Sequence, residues 1–502
     1  MLPLQADRFR LIALGSLFLL ALGVALELSR PFLSASIGFD SQVAVVHFDR
    51  IASGRHVEQI VSTTSKPLLT FIYGPLFALF GDWRPIASVT VLAFAVGVAG
   101  VGALVWRIAG PIAAAFSAMA VLAAPTLLFD VGYALATPWA FVGWVAAGLA
   151  VTADRPRYGL AGLALLLAAL ARVETLVVIG VVAAALVVAA VARRPAPRRA
   201  WLVPLIGAGA IAVLCLHDWA LSGDPLLWTK IAASYSKATT LHVPTPLEVI
   251  KLVGVRYVQF GAVTLLAGLG LVRLWMARQY AVALGLVALG PGVAAFLVVL
   301  AIRGIFVSER YLAAIDIAVL GAAGIGLAGL TTDAAAWIAD RVGGSRWTPG
   351  RRQAIGIAVA ASIAVVLVWP QGPFDVSLRQ QVRASVEVGV DTDRSLPIIA
   401  AALRSEGTPA AVAVLVPTAV RPRAVIGLSL PLTSVGSTDR VSIDASGRPL
   451  ARGQIVLHDR RAELLPDALA ILEVSTPTTI GDLRLEPILA DSARGLWIVA
   501  IR

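Results

Sequence analysis

Long apolar runs alternate with short polar interruptions over most of this chain. Crossing the hydrocarbon of a bilayer takes roughly 20 residues of helix, fewer where a helix meets a re-entrant turn. On that ruler, spans fall near 10–28, 86–106, 111–128, 138–153, 158–171, 175–192, 200–220, 251–272, 280–301, 312–330 and 354–370. The pattern predicts a mainly α fold, a polytopic transmembrane bundle of about eleven spans. No persuasive small-residue cleavage site follows the run from Leu11 to Leu28. It reads as an uncleaved first span, with a signal peptide as the alternative.

Two stretches depart from this pattern. The loop 29–85 is too long for a simple connection and is only partly polar. Within it, Asp40 to Ala52 reads as a helix stopped by Gly54; Asp40 and His47 share one face and Asp49 takes the other. Pro67 to Phe80 is apolar, short for a span and interrupted by Pro75, which predicts a helix lying in the membrane interface. After Pro370 the alternation becomes that of a small α/β domain. Ile398–Ser405 reads as a helix, and Ala411–Val416, Ala424–Leu428, Gln454–Leu457, Ala468–Val474 and Leu496–Ile501 read as strands. Turns such as Ser446-Gly447-Arg448-Pro449 separate them. The expected organisation is a membrane module over 1–370 and a small α/β domain over 371–502.

Composition agrees with a lipid solvent. Of 502 residues, 58% are hydrophobic and 14% charged, whereas soluble domains carry about a quarter charged residues. A net charge of +11 would suit nucleic acid, but most basic residues punctuate the apolar runs. They fall at Arg8 and Arg10, Arg107, Arg155 and Arg157, Arg193, Arg194, Arg198 and Arg199, Arg273 and Arg278, and Arg341, Arg346, Arg351 and Arg352. These are topology signals rather than a nucleic-acid groove. With a cytoplasmic N-terminus, every one of these clusters faces the cytoplasm. The first loop, the Asp130 loop, segment 222–250, the Arg303–Arg310 turn and the tail then lie outside the cell membrane. The one cysteine, Cys215, allows no intrachain disulfide and makes a poor nucleophile in its apolar run. No Walker loop, dinucleotide-binding glycine motif, His-Glu-x-x-His or Cys-rich metal site is present.

The outer membrane face therefore collects the ionisable residues that could do chemistry. Asp40 is a helix N-cap or a functional carboxylate. Lys66 either snorkels to headgroups or meets an anion. Arg310, beside Tyr311 at the outer end of a span, is an interfacial anchor or a bidentate grip on phosphate, with Arg303 as its substitute. Arg172 and Glu174 lie between two apolar runs, where such residues pair or face a cavity. His47 and Asp49 are secondary candidates, as are Asp130 and Tyr133. In the segment 222–250, Trp228, Lys230, Tyr235, Lys237 and His242 form an interface belt or a mobile cover.

Asp40, then Arg50-Ile51-Ala52-Ser53-Gly54, then Lys66-Pro67-Leu68-Leu69 and Leu79-Phe80-Gly81, resembles the first extracytoplasmic loop of the GT-C membrane glycosyltransferases. The branch most similar contains the protein O-mannosyltransferases and the lipid A aminoarabinose transferases. Weaker likenesses follow in order at Ala168 to Glu174, Ser222 to Leu226 and Glu309 to Leu312. The chain departs from the family in having Ser41 where a second acid often stands, Leu68 for a proline and Thr137 for an aspartate.

The resemblance implies transfer of a sugar from a polyprenyl-phosphate donor to an acceptor hydroxyl on a lipid, glycan or protein, at the outer face of the membrane. Asp40 would be the catalytic base. Lys66, Arg310 and Tyr311, with Arg172 and Glu174, and with His47 and Asp49 in support, would bind the substrates. A single phosphate leaving group does not demand a cofactor; a divalent metal stays open. The rival is a polytopic carrier or flippase for lipid-linked sugars without transferase chemistry, and a non-catalytic scaffold is a further one.

Overall fold

The computed structural model describes residues 3–29, 37–54, 65–191, 197–230, 232, 243–307, 309–342 and 349–369. In the C-terminal part it describes 376, 380, 396–398, 400–401, 414–416, 421–428, 435–437, 454–459, 476–480, 483–491 and 496–501. All eleven apolar segments are helical. They are carried by α1 (Pro3–Ser29), α4 (Arg84–Ala109), α5 (Pro111–Leu122) with α6 (Pro125–Gly132), α7 (Thr137–Val151), α8 (Tyr158–Ala171) and α9 (Thr175–Val191). Then follow α10 (Leu202–Ser222), α11 (Pro246–Gln259) with α12 (Ala262–Met276), α13 (Tyr280–Ile302), α14 (Ala313–Val342) and α15 (Pro349–Val368).

Their lengths change the expected span count. Among the described residues, five helices are long and apolar enough to cross a membrane alone, or up to seven if each bent pair counts as one span. Helices α7, α8, α9 and the apolar part of α15, among the described residues, fall short of the roughly 20 residues of a full span. The segment expected as one span at 251–272 is instead α11 and α12, meeting at 90°. Gly261 sits at the break with φ +50° and ψ −118°, a conformation open to glycine and strained for other residues.

Small residues let the helices approach closely. A Cβ on Gly270 of α12 would lie 1.9 Å from the Ala322 carbonyl of α14, and one on Gly326 would lie 2.0 Å from the Leu266 carbonyl. Backbone contact of this kind replaces the hydrophobic drive that lipid removes. One apolar core joins α1, α4–α6 and α11–α15. A second lies among α7–α10. A third sits beneath α2 (Phe39–Ala52) and α3 (Pro67–Phe80), the two helices of the first loop.

Both loop helices fall where periodicity and punctuation predict them. Helix α3 keeps Pro75 inside and ends at Gly81, whose φ of +64° suits a left-handed cap. The two helices touch closely: a Cβ on Gly74 would lie 2.1 Å from Phe48 Cβ.

Among the described residues, the C-terminal part forms a six-stranded sheet in the order β2 (Val435–Ser437), β1 (Val414–Val416), β3 (Gln454–Asp459), β6 (Leu496–Ile501), β5 (Leu483–Asp491), β4 (Thr478–Ile480). Strand β1 pairs in parallel with β2 and β3, and the remaining pairs are antiparallel. The segment expected as a strand at Ala424–Leu428 is instead part of a helix, α16 (Arg421–Gly427), which packs on α2. Five apolar residues are too few to separate the two periodicities, and tertiary burial against α2 decides. Most of the helix expected at Ile398–Ser405, and the strand expected at Ala468–Val474, lie outside the described residues.

Candidate functional site

The site is built from the N-terminus of α2. Gly38, not Asp40, is the N-cap, and no side chain caps the helix. Asp40 lies within the first turn, where the helix dipole favours a carboxylate. Three contacts fix this end. Gly38 N–H donates to the Tyr133 carbonyl at 2.8 Å, Ser41 Oγ to the Ala134 carbonyl at 2.6 Å, and Gln42 Nε2 to the Ile37 carbonyl at 2.6 Å. A Cβ on Gly38 would sit 2.7 Å from the Tyr133 oxygen, so this approach needs glycine.

Asp40, Lys66, Ala171, Arg172, Val173, Glu174, Arg310 and Tyr311 line one cleft. Lys66 precedes Pro67 at the start of α3, and its Nζ lies 3.2 Å from Asp40 Oδ2. Arg310, in the 3-10 turn Glu309–Leu312 before α14, reaches the same oxygen at 3.9 Å. Its side chain is 30% exposed, against 8% for Lys66, so Arg310 stands towards the mouth. Arg172 caps the end of α8 and grips Glu174 with two nitrogens, at 2.9 and 3.2 Å. Its guanidinium lies 5.4 Å from the Tyr311 ring centroid, within cation–π range. Asp130 lies 3.7 Å from Arg172 on another side and accepts a hydrogen bond from Thr137.

Burial and charge oppose each other here. Burial pushes the Asp40 carboxyl up, but Lys66, Arg310 and Arg172 outweigh it and hold the group below its ordinary value. Burial pulls the Lys66 ammonium down; Asp40 opposes this, yet the result stays below the ordinary lysine value. The arrangement is an ionised carboxylate facing three cations, a geometry suited to an anion beside a base.

Six of the eight residues proposed from the sequence thus line one cleft; two do not. His47 is buried on the Asp40 side of α2 but faces His217, with ring centroids 6.1 Å apart. Asp49 is 69% exposed on the opposite face, 4.0 Å from Arg50 Nε. Arg303 is exposed and lines no part of the cleft, and Tyr133 serves through its backbone. Lys230 pairs with Asp224 at 2.6 Å on the surface. Tyr235, Lys237 and His242 lie outside the described residues.

Two buried pairs were overlooked in the sequence: His217 with Asp218, and Arg256 with Asp316. Arg256 holds Asp316 at 2.9 and 2.7 Å, and Thr126 donates to the same carboxylate at 2.6 Å. This ties the end of α11 to the first turn of α14, just after Arg310. Ionisable residues inside apolar spans were the available signal. Among the described residues, no group of three or more His, Cys, Asp or Glu side chains is placed to hold a metal ion.

No protein-family model and no curated protein matches the chain significantly. Solved structures do. ArnT from Cupriavidus metallidurans bound to undecaprenyl phosphate superposes with a TM-score of 0.55 at 15% identity, over 98% of this chain and 97% of that one. The Archaeoglobus fulgidus oligosaccharyltransferase in its apo form gives 0.55 at 10% identity, over 88% and 69%. The same organism's oligosaccharyltransferase AglB, in complex with an inhibitory peptide and a dolichol-phosphate, gives 0.51 at 10% identity, over 89% and 70%. At such identities the likeness is one of fold. The chain is a multi-pass membrane protein whose fold is that of ArnT and of the archaeal oligosaccharyltransferase.

Proposed function

We propose that this chain is a glycosyltransferase that moves a sugar from a polyprenyl-phosphate donor to an acceptor hydroxyl at the outer face of the membrane. The observation that carries this reading is the buried Asp40 carboxylate facing Lys66 and Arg310 in one cleft. The fold is that of a protein crystallised with undecaprenyl phosphate and of another bound to dolichol-phosphate.

The acceptor hydroxyl gives its proton to Asp40 as its oxygen attacks the anomeric carbon. The bond from that carbon to the phosphate oxygen breaks, and polyprenyl phosphate leaves with the electron pair. Lys66 and Arg310, with Arg172 behind them, stabilise the charge that develops on the phosphate. Direct displacement inverts the anomeric centre. Lys66, Arg310 and Arg172 make Asp40 a weak base by stabilising its ionised form. A donor phosphate competes for those cations, and burial then strengthens the carboxylate as a base. The base is thus switched on by the donor. Glu174 and Tyr311 complete the wall nearest Arg172, where sugar hydroxyls would be met.

The charge asymmetry of the loops supports a cytoplasmic N-terminus, with the cleft and the 371–502 domain on the extracytoplasmic side. Helix α16 from that domain packs on α2, which suits a role in presenting the acceptor near Asp40.

The deciding experiment uses membranes carrying the full chain and a radiolabelled polyprenyl-phosphate sugar. Asp40→Asn is expected to reduce transfer by about 10²–10⁴-fold per amount of folded protein. Full transfer by this variant overturns the assignment of the base. Movement of labelled lipid across the bilayer without transfer favours the carrier reading instead.

A further inference from the structure

A second buried polar cluster, between α10 and α3, takes no part in the chemistry above. On α10, His217 and Asp218 are 4% and 0% exposed inside an otherwise apolar helix. His217 Nδ1 lies 3.1 Å from Asp218 Oδ1, and Nε2 lies 3.3 Å from Thr70 Oγ1 on α3. The Thr70 hydroxyl is also 3.3 Å from the Lys66 carbonyl, and Thr70 N–H donates to that carbonyl at 3.0 Å. The other Asp218 oxygen accepts the backbone N–H of Trp228 at 2.5 Å, in the chain that leaves α10.

Burying an ionisable pair among apolar side chains is costly, and an apolar pair would pack more cheaply. What this pair adds is direction. The carboxylate only accepts, so it selects the tautomer with the proton on Nδ1; Nε2 then accepts from the Thr70 hydroxyl, and the ring's orientation is fixed. The pair's contacts end on the first turn of α3, which follows Lys66 directly, and on the backbone N–H of Trp228 after α10. We infer that the His217–Asp218 pair is a positioning unit for the donor phosphate: it holds the first turn of α3 and so sets where Lys66 delivers its ammonium. It also ties that setting to the segment after α10 through Trp228. The inference rests on the reading of Lys66 as a phosphate-binding cation.

The test is binding of undecaprenyl phosphate to the purified full-length protein in nanodiscs, with amide exchange followed at residues 66–70. Thr70→Val removes the hydroxyl link at nearly constant shape and keeps the test valid if His217→Phe fails to fold. Thr70→Val is expected to weaken binding by about three- to tenfold, the effect of one hydrogen bond. It should also speed exchange at 66–70 and have no further effect on binding in a Lys66→Met background. Equal weakening with and without Lys66, or unchanged affinity and exchange, overturns the inference alone. Failure of the unmodified chain to bind undecaprenyl phosphate overturns the phosphate reading and this inference with it.

Discussion

Lys66 Nζ lies 3.2 Å from Asp40 Oδ2, and neither side chain is more than a tenth exposed. Removing one member of a buried pair leaves the other charge uncompensated, at a cost of about 3–5 kcal/mol. Asp40→Asn and Lys66→Met should each lower stability, and the double variant should lose less than the sum by about 1–3 kcal/mol. Thermal unfolding in one detergent measures this. Additive losses would mean that the two charges do not share one site.

Lys66 should set an alkaline limit on activity. Burial holds its ammonium below the ordinary lysine value, so the cation is lost before pH reaches about 10.5. Donor affinity is therefore expected to fall on the alkaline side. Lys66→Arg should remove that limb, because a guanidinium stays charged. A profile that keeps the limb in Lys66→Arg assigns it to another group.

His47 should make stability sensitive to mild acid. Burial, then the neighbouring His217 and Lys66, lower its pKa from 6.5 to about 3. Between those values the unfolded chain binds the proton and the folded chain does not. Stability is thus complete above pH 6.5 and declines as pH falls towards 3. His47→Leu should flatten this decline, measured as the melting temperature between pH 7 and 4.

Asp49 provides the contrast to Asp40. Its side chain is 69% exposed and lines no part of the cleft. Asp49→Asn should leave transfer intact and change stability by less than about 0.5 kcal/mol. A large loss of transfer would bring this face of α2 into the site.

Gly74 governs how α2 sits on α3. A Cβ there meets Phe48 Cβ at 2.1 Å, so Gly74→Val must push the helices apart, at about 1–3 kcal/mol. Transfer should fall as Asp40 and Lys66 separate. Phe48→Ala in the same chain should restore part of both stability and transfer.

The positions of helices were readable because lipid forces backbone groups to bond within their own segment, and a continuous apolar run records that demand. The face shared by Asp40 and His47 was equally readable, since seven residues make nearly two helical turns. Prolines and glycines marked α3 at both ends. The failures have the same origin. Residues 424–428 are too few to show a period, so contact with α2 chose helix over strand. The right-angled break at Gly261 follows from packing, with only a glycine as its local trace. That Asp40 meets Lys66 and Arg310, that Arg172 holds Glu174 and lies beside Asp130, and that His47 turns to His217 are outcomes of assembly. Pattern along a chain reports how each segment partitions between lipid and water. Which charges share a cleft depends on contacts between segments far apart in sequence, and only the packed bundle brings those together.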